Sequence, residues 1–170
     1  YKESLMEIEQ TVRLRIDGNN DFDVVLIQFA EGATAGFDKS FDLEKRWGYD
    51  ESPNLYTIHN EETLYSVDVR QLIESELVIP IGFETGLSGE FVIEATQFEG
   101  LTGEYQVILE DIQEGIFTEL KENISYEFVG EIEDEKHRFN LHFKDLFAGQ
   151  DEVTLNPLNI YSYENDVYIL

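Results

Sequence analysis

The stretch RFNLHF, residues 138–143, carries the pattern on which the predicted fold of this chain rests. Its apolar residues at positions 139, 141 and 143 alternate with polar residues that include Arg138 and His142. Successive side chains of a β-strand point to opposite faces, so this period of two predicts a strand. We expect one face of the strand in the core and the other face, with Arg138 and His142, in water.

The same alternation recurs along most of the 170 residues, in segments rich in Val, Ile, Phe, Tyr and Thr that Gly, Asn and Asp separate. Several short strands with regular turn signals are typical of an all-β fold. We therefore predict an antiparallel β-sandwich of jelly-roll-like form. The further predicted strands cover residues 9–16, 24–29, 77–83, 90–98, 105–110, 116–120 and 126–129.

One long connection interrupts this pattern, over residues 31–54, and it holds Trp47, the single tryptophan. We expect a short helical turn within it, around residues 40–47, and a weaker helical segment at residues 69–74. Connections of this length in a compact domain are often functional.

The character of the chain changes near Pro157. We predict that residues 1–148 form the sandwich module and that residues 149–157 form a linker. Residues 158–170 then read as a strand pair, 158–163 and 167–170, joined by a turn at residues 164–166. This pair is either the start of a second domain or a final element of the first.

Charge and composition exclude several classes of protein. Eleven Lys and Arg against 37 Asp and Glu give a net charge of −26, which repels phosphate backbones and anionic membrane surfaces. No apolar run approaches the roughly 18 residues of a membrane span. The chain contains no Cys, so disulfides, thiolate metal sites and Cys nucleophiles are absent. We expect no nucleic-acid partner and no membrane insertion.

The segment DGNNDFD, residues 17–23, places oxygen-bearing side chains at alternate positions: Asp17, Asn19, Asp21 and Asp23. This spacing resembles the first half of a calcium-binding loop, and calcium is the only cofactor that the sequence suggests. Phe22, however, stands where such a loop requires glycine, and strands flank the segment on both sides. We favour a hairpin turn and keep a calcium site as the alternative.

Three aromatic residues, Trp47, Tyr49 and Tyr56, lie in or beside the long connection. Exposed aromatic faces there would suit the stacking of sugar rings, as in a carbohydrate-binding module. A lone tryptophan in a β-domain is more often a core plug or a lid under a long loop. We expect Trp47 in the core and treat glycan binding as the second hypothesis.

Two carboxylates of the same connection, Asp38 and Asp42, complete the candidate ligand-binding set. Paired carboxylates can hydrolyse glycosidic bonds, but a surface this acidic produces chance pairs. A solvated acidic loop or a second cation site is the favoured interpretation. His142 is expected to be tied into a polar sheet face or an interface. Because the sequence contains no recognisable nucleophile, phosphate loop or metal constellation, we do not expect an enzyme.

Several longer motifs resemble a known family. The runs IPIGFETGLSGEFVIEA (residues 79–95), VILEDIQEGIFTEL (107–120) and HRFNLHF (137–143) resemble a β-sandwich module of large secreted proteins in gliding and gut-dwelling bacteria of the Bacteroidetes type. The turn FAEGATAGFD (29–38) also fits that family. There the module lies immediately before a C-terminal sorting domain of the type IX secretion system, and the tail LNIYSYENDVYIL (158–170) is similar to the first strands of that domain.

The resemblance implies an extracellular location, secreted or attached to the cell surface. It implies a non-catalytic accessory or structural module that presents or braces neighbouring domains, and no catalytic residues. The implied partners are those neighbouring domains, and the secretion machinery through a downstream sorting domain. The alternative function is a carbohydrate-binding or adhesive module with its ligand near the 31–54 connection.

Overall fold

The computed structural model describes residues 7–34, 36–60, 62–101, 103–121, 124–146, 160–163 and 166–169. Its described elements are all β-strands, which confirms the all-β prediction. They are β1 (Ile8–Gly18), β2 (Asp21–Ala30), β3 (Leu43–Glu44), β4 (Asn54–Asn60), β5 (Thr63–Arg70), β6 (Leu77–Glu84), β7 (Gly89–Glu99), β8 (Tyr105–Asp111), β9 (Ile116–Glu119), β10 (Ser125–Gly130), β11 (His137–Asp145), β12 (Ile160–Tyr163) and β13 (Asp166–Ile169).

The main sheet has the order β10-β7-β1-β2-β5-β4-β6-β11-β8-β9, and β3 pairs with β5 beside this path. The prediction of a purely antiparallel arrangement is wrong at one place, because β2 and β5 pair in parallel. The long connection causes this exception. It leaves β2 and returns the chain through β4, and β5 then inserts between β2 and β4. The sheet is therefore mixed.

The sheet curls until its two ends approach each other, so that it is nearly closed into a barrel. On the β10 side, the Tyr126 hydroxyl donates to Asp111 Oδ2 at the end of β8, over 2.9 Å. The ring of Phe128 in β10 lies 5.1 Å from that of Phe139 in β11. Strands that are far apart in the sheet order thus touch across the interior.

One hydrophobic core fills this interior, and phenylalanine rings join its two sides. The ring of Phe83 in β6 lies 5.0 Å from Phe91 in β7 and 5.1 Å from Phe128 in β10, both edge-on. Edge-to-face contacts of this kind stabilise aromatic pairs beyond their buried area. Alternating apolar residues of the predicted strands supply most of this core, among them Val12, Leu14 and Ile16 of β1.

Both predicted helical segments are wrong. Residues 40–47 contain turns and the two-residue strand β3, whose Leu43 pairs with Val67 of β5. Residues 69–74 begin inside β5 and continue without regular structure. Pairing with β5 decides the conformation of the first segment, since tertiary contacts override weak helix propensity. In the part of the chain that the structure describes, no helix is long and apolar enough to cross a membrane.

Near the C-terminus, β12 and β13 pair antiparallel as a separate two-stranded sheet, with Ile160 opposite Ile169. The predicted linker, residues 149–157, lies outside the described residues, as do residues 164 and 165 of the predicted turn. The assignment of this strand pair to a sorting-type domain stays a prediction.

Candidate functional site

The DGNNDFD segment forms the tight hairpin turn between β1 and β2. Gly18 pairs with Asp21, so the loop consists of Asn19 and Asn20 alone. Their φ angles are 52° and 59°, which is the left-handed conformation that a two-residue type I′ turn requires at both positions. Asparagine tolerates this conformation better than most residues, and this preference explains the sequence of the turn.

The turn is also a docking point for distant loops. The side-chain amide of Asn19 donates to the Leu87 carbonyl over 2.7 Å, to the Glu51 carbonyl over 3.1 Å and to Thr85 Oγ1 over 3.2 Å. The hairpin tip is thereby tied to the long connection and to the turn after β6. This role of Asn19 is structural.

The four predicted calcium ligands are not brought together. Asp17 forms an ion pair with Arg15, whose guanidinium lies over the Phe22 ring on the outer face of the hairpin. Asp21 and Asp23 alternate with Phe22 and therefore lie on the opposite face. In the described ranges, no group of three or more His, Cys, Asp or Glu residues could hold a metal ion.

Asp21 and Asp23 instead hold the long connection. Asp21 accepts a hydrogen bond from the Ser52 hydroxyl, and this bond lowers the pKa of Asp21, as does the Phe22 backbone N–H. Asp23 Oδ2 accepts hydrogen bonds from the Leu55 backbone N–H, over 2.7 Å, and from the buried ammonium of Lys45. Carboxylates that the calcium pattern required are thus used as internal acceptors.

The predicted ligand residues Asp38 and Asp42 also serve the loop itself. Asp42 is buried, and its two oxygens accept from the backbone N–H groups of Asp38, over 2.7 Å, and Val69, over 2.8 Å. Asp38 accepts from the Ser40 backbone N–H over 2.9 Å. Asp42 fixes the connection to β5, and the acidic pair is not an open carboxylate dyad.

The aromatic residues of the connection are divided between surface and core. Trp47 is 55% exposed and Tyr49 is 84% exposed, so the prediction of Trp47 as a core plug is wrong. Tyr56 is buried, contacts Trp47 edge-on at 5.6 Å, and donates its hydroxyl to Glu84 over 2.6 Å. Tyr56 therefore supports Trp47 from below and does not offer a face to solvent.

A cavity of about 340 Å³ lies beside β5, bounded by the long connection and by residues 71–77. We call it the β5 cavity. Tyr65, Asp68 and Arg70 line it from β5, and Asp42 lines it from the connection. Arg70 donates twice to Asp68 Oδ2, over 2.8 and 3.0 Å.

Tyr65 is 2% exposed, and its hydroxyl has no hydrogen-bond partner among the described residues. Burial raises the pKa of Tyr65, and the carboxylates of Asp42 and Asp68 raise it further. The neutral hydroxyl is therefore present at ordinary pH. A buried hydroxyl without a partner is uncommon in folded proteins and calls for an explanation.

A second buried polar group, around Arg138, lies where the two ends of the sheet meet. Arg138 is 1% exposed, so its predicted position on the wet face is wrong. The β6–β11 register shifts between His137 and Phe139, and this β-bulge breaks the alternation that placed Arg138 outside. The guanidinium donates to Asp111 Oδ2 and to the Val129 carbonyl. Sequence alternation carries no sign of a bulge.

His142 is tied into the polar sheet face, as predicted. Its Nε2 lies 2.7 Å from Glu110 Oε2, which also accepts from the Asn140 amide over 2.8 Å. The hydrogen bond from Asn140 makes the largest contribution to lowering the pKa of Glu110, and the hydrogen bond with His142 lowers it further. The arrangement is a cross-strand polar network on the surface.

Comparison with known proteins gives a family and no function. A family model described as a domain of unknown function, DUF8693, matches residues 9–143. No curated protein and no solved structure matches the chain. The matched residues span β1 to β11 and so contain the whole main sheet, apart from the end residues of its first and last strands.

Proposed function

Because the chain belongs to the DUF8693 family of domains of unknown function, we propose its role from its own geometry and sequence. It is a non-catalytic accessory module of a secreted, type IX-exported cell-surface protein, and it presents or braces neighbouring domains. The single structural observation that carries the non-catalytic, bracing part of this proposal is the internal use of its candidate site carboxylates.

The carboxylates that could serve catalysis or metal binding are already hydrogen-bonded within the domain, and this supports the proposal. Asp23 is held by Lys45 and the Leu55 backbone, and Asp42 by two backbone N–H groups. A catalytic acid or base has to reach substrate, and a carboxylate whose oxygens brace a loop is poorly placed for that task. These hydrogen bonds make the long connection rigid.

The continuous core also supports a bracing role. Aromatic side chains from β6, β7, β10 and β11 interdigitate across the curled sheet, which resists deformation because protein interiors are close-packed. A jelly-roll-like sandwich, in which β7 and β10 form one layer over β6 and β11, is the finer architecture that we propose. The parallel β2–β5 pair departs from the usual antiparallel jelly roll.

An extracellular location rests on the sequence resemblance. The net charge of −26 is compatible with it, since screening by extracellular salt relieves self-repulsion. An epitope tag inserted after Gly115, in the β8–β9 hairpin, tests the proposal in the source bacterium. We expect antibody to label intact cells; labelling that appears only after permeabilisation would contradict export.

A second candidate function, glycan binding or adhesion, is favoured by the exposed rings of Trp47 and Tyr49. The Lys45 ammonium lies 5.7 Å from the Trp47 ring centroid and Tyr56 contacts the same ring, so Trp47 is held in place. A preorganised aromatic face lowers the cost of stacking a ligand. Binding on a glycan array that is lost in Trp47→Ala and kept in Phe117→Ala, an exposed aromatic residue on β9, would support this function. If the wild-type protein binds no glycan on the array, glycan binding is excluded for the glycans tested.

A further inference from the structure

We infer that the β5 cavity is a binding site for one small, neutral, hydroxylated ligand, such as a single sugar residue. The inference goes beyond both candidate functions and takes from the second only the choice of sugars as probes. Its residues, however, are separate from the Trp47 surface. The cavity, at about 340 Å³, falls within the usual range of roughly 300–1,000 Å³ for small-molecule sites.

The unpaired hydroxyl of Tyr65 is the observation that points to a ligand. A buried hydroxyl without a partner is destabilising, and native proteins rarely retain one without a reason. Thr57, which pairs with Tyr65 across β4 and β5, also has a buried hydroxyl with no partner among the described residues. Of the two, Tyr65 lines the β5 cavity, and a buried unpaired hydroxyl on a cavity-lining residue indicates a site for a hydrogen-bonding ligand.

Charge decides the class of ligand. Four carboxylates line the cavity, Asp42, Asp68, Glu74 and Glu76, against the guanidinium of Arg70. An anion would meet net negative charge. A cation would find the two buried carboxylates already paired, Asp68 with Arg70 and Asp42 with two backbone N–H groups, while Glu74 and Glu76 are exposed to solvent. A neutral hydroxyl group can donate to a carboxylate and accept from a guanidinium at the same time. Asp68 could accept a hydrogen bond from such a hydroxyl, and Arg70 could donate one to it.

The geometry leaves hydrogen-bonding capacity for such a ligand. Both bonds from Arg70 end on a single oxygen, Oδ2 of Asp68, so Oδ1 and the second terminal guanidinium nitrogen can serve a ligand. The Phe37 ring stacks on Tyr65 at 5.8 Å and is 40% exposed. The Tyr65 hydroxyl is closed to solvent in the free protein, so the proposed ligand would reach it only with a movement of neighbouring side chains such as Phe37.

The test compares three sugars of one ring size and different charge: glucose, glucosamine and glucuronate, with galactose and mannose as further neutral probes. Binding to the full chain is measured by calorimetry and by the shift of the melting temperature. We expect a neutral sugar to bind best and glucuronate not to bind. If no neutral sugar binds, or if glucosamine or glucuronate binds more tightly, the inference is wrong.

Three variants locate the site. Tyr65→Phe removes only the unpaired hydroxyl; we expect affinity for the neutral sugar to fall about fivefold, with the melting temperature of the free protein unchanged or raised. Asp68→Asn should weaken binding about tenfold or more. Glu127→Gln, a carboxylate-to-amide substitution at an exposed position of β10 outside the cavity lining, should change neither quantity. Unchanged affinity in Tyr65→Phe and Asp68→Asn would overturn the site.

The Trp47→Ala variant separates this inference from the glycan surface. Its affinity for single sugars should equal that of the wild type, because Trp47 does not line the β5 cavity. Loss of single-sugar binding in Trp47→Ala with retention in Tyr65→Phe would place the ligand on the Trp47 surface and refute the β5 cavity. That outcome would leave the second candidate function intact.

Discussion

Arg138 and Asp111 form a buried ion pair at the place where the two ends of the sheet meet. The Arg138 Nη2 to Asp111 Oδ2 distance is 3.1 Å, and both side chains are almost inaccessible to solvent. The same Asp111 oxygen accepts from the Tyr126 hydroxyl of β10 over 2.9 Å, and the guanidinium lies 4.4 Å from the Phe128 ring centroid. The pair and its neighbours join β10 to β8 and β11, a connection that no backbone ladder makes, since β10 pairs with β7.

Removal of one partner of this pair should be strongly destabilising. In Asp111→Ala the buried guanidinium of Arg138 keeps only its second carboxylate partner, Asp134, and the Tyr126 hydroxyl loses its acceptor. Breaking a buried pair costs about 3–5 kcal/mol, and we expect a loss near the lower end of that range. Urea unfolding of the full chain measures the change. The matched control is Asp17→Ala, which removes the exposed pair with Arg15 and should cost at most about 1 kcal/mol. Equal losses in the two variants would show that the buried pair does not hold the sheet ends together.

The turn at Asn19 and Asn20 should discriminate between alanine and glycine. Asn20 has a φ of 59°, and a left-handed residue with a Cβ atom costs roughly 1–2 kcal/mol. Asn20→Ala should lower the free energy of unfolding by about 1 kcal/mol, whereas Asn20→Gly should leave it nearly unchanged. An alanine variant as stable as the glycine variant would mean that the turn does not adopt this conformation in solution.

Glu110 should contribute to acid sensitivity. Hydrogen bonds from Asn140 and His142 lower the pKa of Glu110 in the folded protein below its ordinary value. The stability that follows from a lowered carboxyl pKa is present above the unfolded pKa and is lost as the pH falls through the folded pKa. Between about pH 5 and pH 3, Glu110→Gln should therefore lose less stability than the wild type.

The control for this pH experiment is Glu127→Gln, on an exposed position of β10. Its loss of stability over the same acid range should equal that of the wild type. If Glu110→Gln follows the wild-type curve as well, the cross-strand network does not titrate as described.

Calcium should not stabilise the β1–β2 turn. Asp21 and Asp23 already have internal donors, and Asp17 lies on the other face with Arg15. We expect the wild-type protein to have the same melting temperature in EDTA and in millimolar calcium. Asp21→Ala loses the hydrogen bond from Ser52, so its melting temperature should be lowered by the same amount in both conditions. A calcium-dependent rise that disappears in Asp21→Ala or in Asp38→Ala would instead establish a cation site.

Much of the fold was predictable because most of its strands have one solvent-exposed face and one buried face. That condition holds for β1, β2, β6 to β8, β10 and β11, where alternation marked each strand. It does not hold for β4, whose residues from Asn54 to Thr57 are all buried because the connection covers the sheet there. Continuous burial removes the period of two, so β4 is not among the strands that alternation predicts.

The candidate sites were less predictable because they depend on long-range pairing. The burial of Arg138 follows from a bulge in β11, and the β5 cavity follows from the parallel β2–β5 pair and the return of the chain through residues 71–77. Neither leaves a local signal in the sequence. Trp47 was predicted in the core from the usual behaviour of tryptophan, but its position on the connection leaves it half exposed.

The central proposal, a bracing module on a cell-surface protein, is tested most directly by replacement of residues 9–143 in the parent protein with a flexible Gly-Ser linker. The measurement is the amount of intact parent protein on the cell surface, by quantitative immunolabelling of whole cells. We predict a large loss of intact surface protein through proteolysis of the neighbouring domains, and the Asp111→Ala variant should show a weaker form of the same loss. An unchanged amount of intact surface protein would contradict the bracing role.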